Sequence, residues 1–499
     1  MTMSTHFSSY NARTGEVLDT LAASTAADID AAANAAAAAF PLWQASSGAQ
    51  RAGLLRALAA GLETGREALV ALADQETALG PVRLNGELDR TAFQLRRFAD
   101  IAERGVPFEF LDDPAVAGGP PAGHPAMQRW AVPLGPVAMY AASNFPFAFS
   151  VLGGDTAAAL TAGCPVVIKG HPGHPQLTRQ TWALIQQVLA AQKLPAGLVG
   201  LVQGASNEVG VQLVRHPAIA AAAFTGSTRG GAALAAEAAA RPRPIPFYGE
   251  LGSINPVIAL PAELKAKGAE LATTLAGSIT LGCGQFCTNP GVIVLLDAGQ
   301  ADAKTVNDAF VQQLGQALVG QNPHAMLTQG MRKNFDAGVA HWGEAGATFV
   351  VHEVAAAGQP PRPVLAQVSA EAFMTKVALR EEVFGPSSLV VRAASVAQAL
   401  QALQAVGGSL TVTVWGAQTE SADVQALVRG AMAIAGRVLF AGVPTGVAVT
   451  AAQQHGGPWP SSTRPESTSV GDAALVRFLR PVSLQDAPAW LLARQGRPL

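Results

Sequence analysis

The chain has 499 residues and a mass of 51.0 kDa, more than one hydrophobic core usually serves, so two or three domains are expected. Its 33 Lys and Arg nearly balance 35 Asp and Glu, for a formal net charge of -2, and no long basic run occurs. Nucleic acid and a membrane surface are therefore not expected as partners, and the ligand is expected to be small.

Three cysteines exclude a disulfide framework. The start, MTMSTHFSSYNARTGE, has no basic segment leading into an apolar one, and a reducing cytoplasm is the expected compartment. Mean hydropathy is +0.25, but the uncharged stretch 271–296 is interrupted by Gly, Ser, Thr, Gln, Asn and Pro and makes a poor membrane span. In residues 26–39 and 50–75 alanine and leucine recur at helical spacing, and 93–103 continues the pattern. A helical N-terminal layer is predicted. The Pro/Gly-rich segment 113–125 reads as a linker or excursion, and MQRWAVPL (127–134) alternates like a strand placed to leave the domain body.

A regular alternation follows. Strands are predicted at 136–142, 165–169, 198–203, 219–225 and 245–248, separated by helices at 150–162, 176–192, 209–216 and 230–240. Apolar strands separated by helices give a parallel sheet covered on both faces, whose ligands sit beyond the carboxyl ends of the strands. The polar residues ending these strands are Asn144, Lys169, Gly226 with Ser227, and Glu250. A second α/β unit is predicted over 255–449, with helices at 262–279 and 301–315 and strands at 291–296 and 410–415. The stretch 453–465 reads as loop and 475–482 as a closing strand.

The candidate chemistry centres on LGCGQFCTNPG (281–291). Glycine and proline prevent regular structure around Cys287, and Gln285, Thr288 and Asn289 supply polar groups, a setting for a nucleophile or for an inert buried thiol. Cys164 and Cys283 read as inert. FTGSTRGG (224–231) follows a strand and opens a helix, so Ser227 can cap a helix whose N–H groups would meet a pyrophosphate; no G-x-G-x-x-G accompanies it. Lys169 is a ribose ligand or an ordinary surface lysine. His171 and His174 in GHPGHP form a rigid loop rather than a zinc site, Cys283 and Cys287 lack supporting ligands, and no metal is expected. Glu250, ending an apolar strand, is expected to have a raised pKa and to act as a general base, or to pair with an arginine. Asn144 in ASNFPF is an oxyanion donor or a turn residue.

In this order NFP at Asn144, VVIK at Lys169, FTGST at Gly226, ELG at Glu250, GQFCT at Cys287 and EEVFGP at Glu382 and Phe384 resemble the aldehyde dehydrogenase superfamily over nearly the whole chain. The variants KGHPGHP, PFYGELGSINP, GCGQFCTNPG, FAGVPTGV and HGGPWP resemble the branch holding 2,5-dioxopentanoate (α-ketoglutarate semialdehyde) dehydrogenases and the luminous-bacterial fatty aldehyde dehydrogenase.

The resemblance implies an α/β fold with a Rossmann-type cofactor domain (1–120 and 135–252), an α/β catalytic domain (253–455) and a small β oligomerisation extension (121–134 and 470–495), assembled as a homodimer or homotetramer. It implies that Cys287 attacks an aldehyde, that Asn144 and the Cys287 N–H hold the oxyanion, and that hydride leaves for NAD or NADP, giving a thioester. Glu250 would activate water. Lys169 and Glu382 would bind the two riboses, Phe384 would pack near the nicotinamide, and Gly226 and Ser227 would meet the pyrophosphate. Phe147 and Phe286 would shape the substrate tunnel.

The usual Gly-Gly-Lys after the glutamate is here Gly252-Ser253-Ile254, the segment around His455 lacks the common pattern, and Pro172 and Asn207 stand where relatives choose between the coenzymes. The expected reaction is oxidation of 2,5-dioxopentanoate to 2-oxoglutarate; a fatty or other semialdehyde is the alternative, and a coenzyme-independent thiol hydrolase or acyltransferase the alternative of another class. For a substrate carboxylate, Arg129 and Arg464 are candidates by position alone.

Overall fold

The computed structural model describes residues 5–105, 110–299, 301–356 and 358–494; residues 1–4 of the N-terminal stretch and residue 495 of the last expected oligomerisation segment lie outside these. The chain opens with an antiparallel hairpin, β1 (His6–Tyr10) and β2 (Val17–Ala22), which the sequence pattern did not signal because both strands are short and their apolar residues do not alternate regularly with polar ones. Four helices follow: α1 (Ala26–Gln44), α2 (Gly48–Thr64), α3 (Arg66–Thr77) and α4 (Pro81–Arg104). Capping boxes at Thr25 and Ser47 start the first two. The helix predicted over 50–75 is divided at Gly65, and the one predicted over 93–103 begins twelve residues earlier, at Pro81. The N-terminal half of α4 escaped the apolar pattern because Arg83, Glu87 and Arg90 share a face with its buried leucines.

After β3 (Leu111–Asp113) and β4 (Met127–Pro133), the first parallel sheet is built from β5 (Val137–Tyr140), β6 (Val166–Lys169), β7 (Val199–Val202), β8 (Ala221–Thr225) and β9 (Phe247–Glu250). Between them run α5 (Gly154–Ala162), α6 (Pro175–Ala191), α7 (Asn207–Arg215) and α8 (Thr228–Ala239). The strand order is β7-β6-β5-β8-β9, every pair parallel. The chain therefore grows outward from β5 in both directions, and the carboxyl ends of all five strands share one edge, where a doubly wound sheet binds its ligand.

The second sheet has the order β12-β13-β14-β11-β10-β15-β16. Its elements in chain order are β10 (Val257–Ala259), α9 (Pro261–Thr280), β11 (Val292–Leu296), α10 (Ala303–Val319), α11 (Gln329–Glu344), β12 (Thr348–His352), β13 (Val364–Ser369), α12 (Ala370–Thr375), β14 (Ser387–Ala393), α13 (Val396–Val406), β15 (Ser409–Trp415), α14 (Ala422–Ile434) and β16 (Ala435–Leu439). Only β12 runs antiparallel. The uncharged stretch 271–296 is thus the end of α9, a turn and β11, and no described helix is long and apolar enough to cross a membrane.

The chain then returns to the first unit. Ala474, Leu475 and Phe478 pack into the same core as Leu58, Leu84 and Ile168, so the closing strand expected at 475–482 starts later, as β17 (Leu479–Gln485). β17 pairs antiparallel with β4, from Leu479 opposite Pro133 to Gln485 opposite Met127, and β4 pairs with β3.

Candidate active site

Four of the strand-end residues gather along the carboxyl edge of the first sheet. Lys169 ends β6 and donates from Nζ to the Gly204 carbonyl at 2.8 Å; burial lowers its pKa to about 8. Ser227 caps α8, accepting from the Gly230 N–H at 3.2 Å, and leaves the start of that helix open to the edge. The Gly226 N–H donates to the carbonyl of Glu250 at 3.1 Å, which joins this turn to the end of β9.

Glu382 reaches the same place from the second unit: a Cβ on Gly252 would lie 2.4 Å from its Oε2 and 2.9 Å from Thr228 Oγ1. Only a glycine at 252 leaves room for that carboxylate. Although its side chain stays open to solvent on one side, crowding by the walls of the cleft pushes its carboxyl up to about 7, against a backbone hydrogen bond from Ser253. Phe384 lies beside it in a narrow nook with Ile254, Asn289 and Trp342. A wider cleft of about 1710 Å³ opens nearby between the β1–β2 hairpin, residues 171–173 and α11.

The Cys287 turn is shaped by three successive left-handed residues, Gly282 (φ 56°), Cys283 (φ 58°) and Gly284 (φ 67°). At 284 a Cβ would fall 2.1 Å from the Gly385 carbonyl oxygen, so the turn packs backbone to backbone against the segment that follows Phe384. Polar side chains fix the rest. Asn255 Nδ2 donates to the carbonyls of Cys287 (2.8 Å) and Asn289 (3.0 Å), and Gln285 Oε1 accepts from the Leu327 N–H at 3.0 Å. Asn144 Nδ2 donates to the Gln285 carbonyl at 3.0 Å, using one of its two amide hydrogens, so the Asn144 side chain lies against the same turn.

Cys287, Glu250 and a residue whose role the sequence left open come together here. His455, fully buried, puts Nε2 at 3.5 Å from Sγ of Cys287 and 3.0 Å from Oε1 of Glu250. Ser469 donates its hydroxyl to Oε2 of Glu250, and its N–H to the His455 carbonyl at 2.9 Å. The three ligand-type atoms lie within 4.8 Å of one another, and the 3.0 Å imidazole–carboxylate separation is that of an ion pair.

Burial, with the Glu250 charge beside it, pushes the Cys287 thiol well above its ordinary value, and Arg437 counters this weakly. Glu250 goes the other way from the sequence expectation. Burial raises its carboxyl, but the charge and hydrogen bond of His455 together with the Ser469 hydroxyl outweigh it, and the net pKa is lowered. Its partner is thus a histidine, not an arginine. Cys164 and Cys283 are fully buried, and burial raises their thiols to about 11 and about 12.

Residues 1–458 match the sequence profile of the Aldehyde dehydrogenase family. The chain belongs to that family. It is 41% identical over 472 residues to alpha-ketoglutaric semialdehyde dehydrogenase 2 of Azospirillum brasilense, covering 93% of this chain and 88% of the relative. It is 38% identical over 483 residues to alpha-ketoglutaric semialdehyde dehydrogenase of Acinetobacter baylyi, covering 95% and 89%. The solved structure of aldehyde dehydrogenase 21 from Physcomitrella patens, in complex with succinate, shares the fold, with a TM-score of 0.80 at 20% identity over 97% of this chain and 96% of that one. As an aldehyde dehydrogenase the chain is an NAD(P)-dependent oxidoreductase, and family membership disfavours the coenzyme-independent thiol hydrolase.

Around the thiol of this aldehyde dehydrogenase stand aromatic rings and buried arginines. Phe286 meets Phe145 edge-on at 5.1 Å, the Arg83 guanidinium lies 4.6 Å from the Phe286 ring, and Phe149 tilts against His455 at 6.4 Å. Phe147, expected with Phe286 to shape the substrate tunnel, packs in the helical core, its N–H bound to Glu87 Oε1 at 2.8 Å, because the 145–149 turn sends alternate rings to opposite sides. Arg129 lies exposed on β4, and Arg464 acts on Tyr248, so neither belongs to the Cys287 group. The cations whose charge reaches Cys287 are Arg90 and Arg437. The available signal for Arg90 was a pair of arginines seven apart, at 83 and 90, on one face of a helix with Glu87 between them. For His455 and Ser469 no spacing signal existed, since the fold alone brings them to Glu250.

Proposed function

We propose that this aldehyde dehydrogenase oxidises 2,5-dioxopentanoate to 2-oxoglutarate with NAD or NADP. The observation that carries the reading is the continuous line from Cys287 Sγ to His455 Nε2 at 3.5 Å and on to Glu250 Oε1 at 3.0 Å. The substrate reading draws support from the printed activities of the two relatives at 41% and 38% identity.

A thiol held protonated by burial attacks a carbonyl only if something takes its proton as the bond forms. The Glu250 carboxylate, which accepts a hydrogen bond from the thiol, takes it, and His455 at 3.0 Å from that carboxylate stabilises the pair. The free amide hydrogen of Asn144 and the Cys287 N–H receive the oxyanion of the thiohemiacetal. For release of the acid, the Glu250–His455 pair, having passed the thiol proton to solvent, draws a proton from the attacking water. A carboxyl with a lowered pKa is a weak base by itself, so the pair, rather than Glu250 alone, carries this step.

The residues fit the coenzyme, which when bound supplies the hydride acceptor. The open start of α8 at Gly226 and Ser227 would hold the pyrophosphate, Lys169 and Glu382 would bind ribose hydroxyls, and Phe384 would pack near the nicotinamide. We assign 1–120 and 135–252 to coenzyme binding, 253–455 to catalysis, and 121–134 with 470–495 to assembly of a homodimer or homotetramer in the cytoplasm. The deciding experiment follows reduced-nicotinamide absorbance with 2,5-dioxopentanoate, pentanal and a long alkanal under each coenzyme. The expected result is the highest kcat/KM for dioxopentanoate; a clear preference for the long alkanal would replace it with the fatty aldehyde alternative.

A further inference from the structure

The loop 440–450 lies between two arginines that come from different parts of the chain. Arg90, on α4, donates from Nη1 to the Val447 carbonyl. Arg437, on β16, donates from Nη1 to the Gly446 carbonyl at 3.0 Å and from Nη2 to the Pro444 carbonyl at 2.7 Å. Each keeps one buried donor without a partner among the described residues: Nη2 of Arg90 and Nε of Arg437. A buried, unsatisfied guanidinium N–H is costly, and sites that bind anions are where such donors are kept.

Both charges reach the catalytic sulfur, and that of Arg90 also reaches Glu250. Neither arginine forms an ion pair with a described carboxylate. Of the acidic side chains near Arg90 on its own helix, Asp89 pairs with Arg66, and Glu87 accepts the Phe147 and Ala148 N–H groups through Oε1 at 2.8 and 3.0 Å while acting on Arg90 through its charge. Glu87 and Glu250 act on Arg90 through their charge, but Nη2 of Arg90 and Nε of Arg437 still keep no hydrogen-bond partner among the described residues.

We propose that Arg90, with Arg437 across the same loop, receives the carboxylate of an anionic aldehyde and so sets its orientation relative to Cys287. The inference rests on the dioxopentanoate reading and deepens it. A short aldehyde with a carboxylate at its far end meets Sγ with one end and the free guanidinium donors with the other. An alkanal of equal length leaves both donors unpaired, which gives discrimination by charge rather than by size.

The test compares dioxopentanoate with pentanal in wild type, Arg90→Met, Arg437→Met and Arg90→Lys, and titrates each with 2-oxoglutarate by calorimetry. Loss of one charge-assisted hydrogen bond is worth about tenfold or more. The ratio of kcat/KM for dioxopentanoate to that for pentanal is expected to fall by that factor in the two Met variants, chiefly through KM. 2-Oxoglutarate affinity should fall with it, and Arg90→Lys should recover part of the ratio. If wild type itself prefers pentanal, the keto-acid reading fails. If wild type prefers dioxopentanoate but the Met variants lower both substrates in equal proportion, that reading stands and the arginine assignment falls. Should Arg90→Met not fold, Arg90→Lys and Arg437→Met give the same ratio.

Discussion

Replacing His455 by leucine removes the group that holds Glu250 below the ordinary carboxylate range while keeping similar bulk. In the native protein the lowered pKa means that Glu250 contributes stability above the ordinary carboxylate value and loses it as pH falls through its own. In the variant the larger influence, burial, is opposed only by the weaker hydrogen bonds of Ser469 and Cys287, and the direction reverses. A carboxyl with a raised pKa costs nothing once protonated at low pH and becomes destabilising as pH rises.

The penalty cannot exceed that of supplying a proton to a carboxyl whose ordinary pKa is about 4.3, which is about 3.7 kcal/mol at pH 7 and about 1.6 kcal/mol at pH 5.5. Urea unfolding of wild type and His455→Leu at the two pH values measures this. The difference in unfolding free energy should shrink by up to about 2 kcal/mol on acidification, while kcat/KM at pH 7 falls by about 10²- to 10⁴-fold, the usual contribution of a general base. A stability gap that is unchanged or wider at pH 5.5 would refute the electrostatic account and leave packing as the cause.

Two further outcomes are expected. With the Cys287 thiol raised by burial and by Glu250, alkylation of the native enzyme by iodoacetamide should be slow at neutral pH and accelerate through the alkaline range, as a raised thiol pKa requires. Peptide mass mapping should find the label on Cys287 and not on the fully buried Cys164 and Cys283; early labelling of either would contradict the site. Light scattering should show a dimer or tetramer, and truncation before β17 should reduce it to a single chain, because β17 builds the small sheet with β4; a full-length species of 51.0 kDa alone would remove the assembly proposal.

The first sheet was legible because strands buried on both faces leave uninterrupted apolar runs such as Val166–Ile168, and helical segments separate them at regular spacing. The second sheet was legible only at β11 and β15. β13 and β14 carry comparable runs, VLAQVS and SSLVVRA, but nothing local fixes the order in which such strands pair, and β10 is only three residues long. At the site, Cys287 and Glu250 announced themselves through the glycines and the strand end that position them. The sign of the Glu250 shift did not, because it depends on a histidine 205 positions away. The place of Phe147 in the helical core was not legible for a related reason: within one tight turn, sequence proximity does not say which side a ring takes.

The seat of Glu250 is finished from the far end of the polypeptide. The Leu251 N–H is bound by the Ser461 carbonyl at 2.8 Å, the Gly249 N–H by Thr463 Oγ1 at 2.8 Å, and the carboxylate by Ser469, 219 positions later. During synthesis the thiol and the carboxylate both leave the ribosome long before the segment that orients one toward the other. Until residues 461–469 have crossed back over the first sheet, Glu250 lacks the hydrogen bonds that seat it beside the thiol.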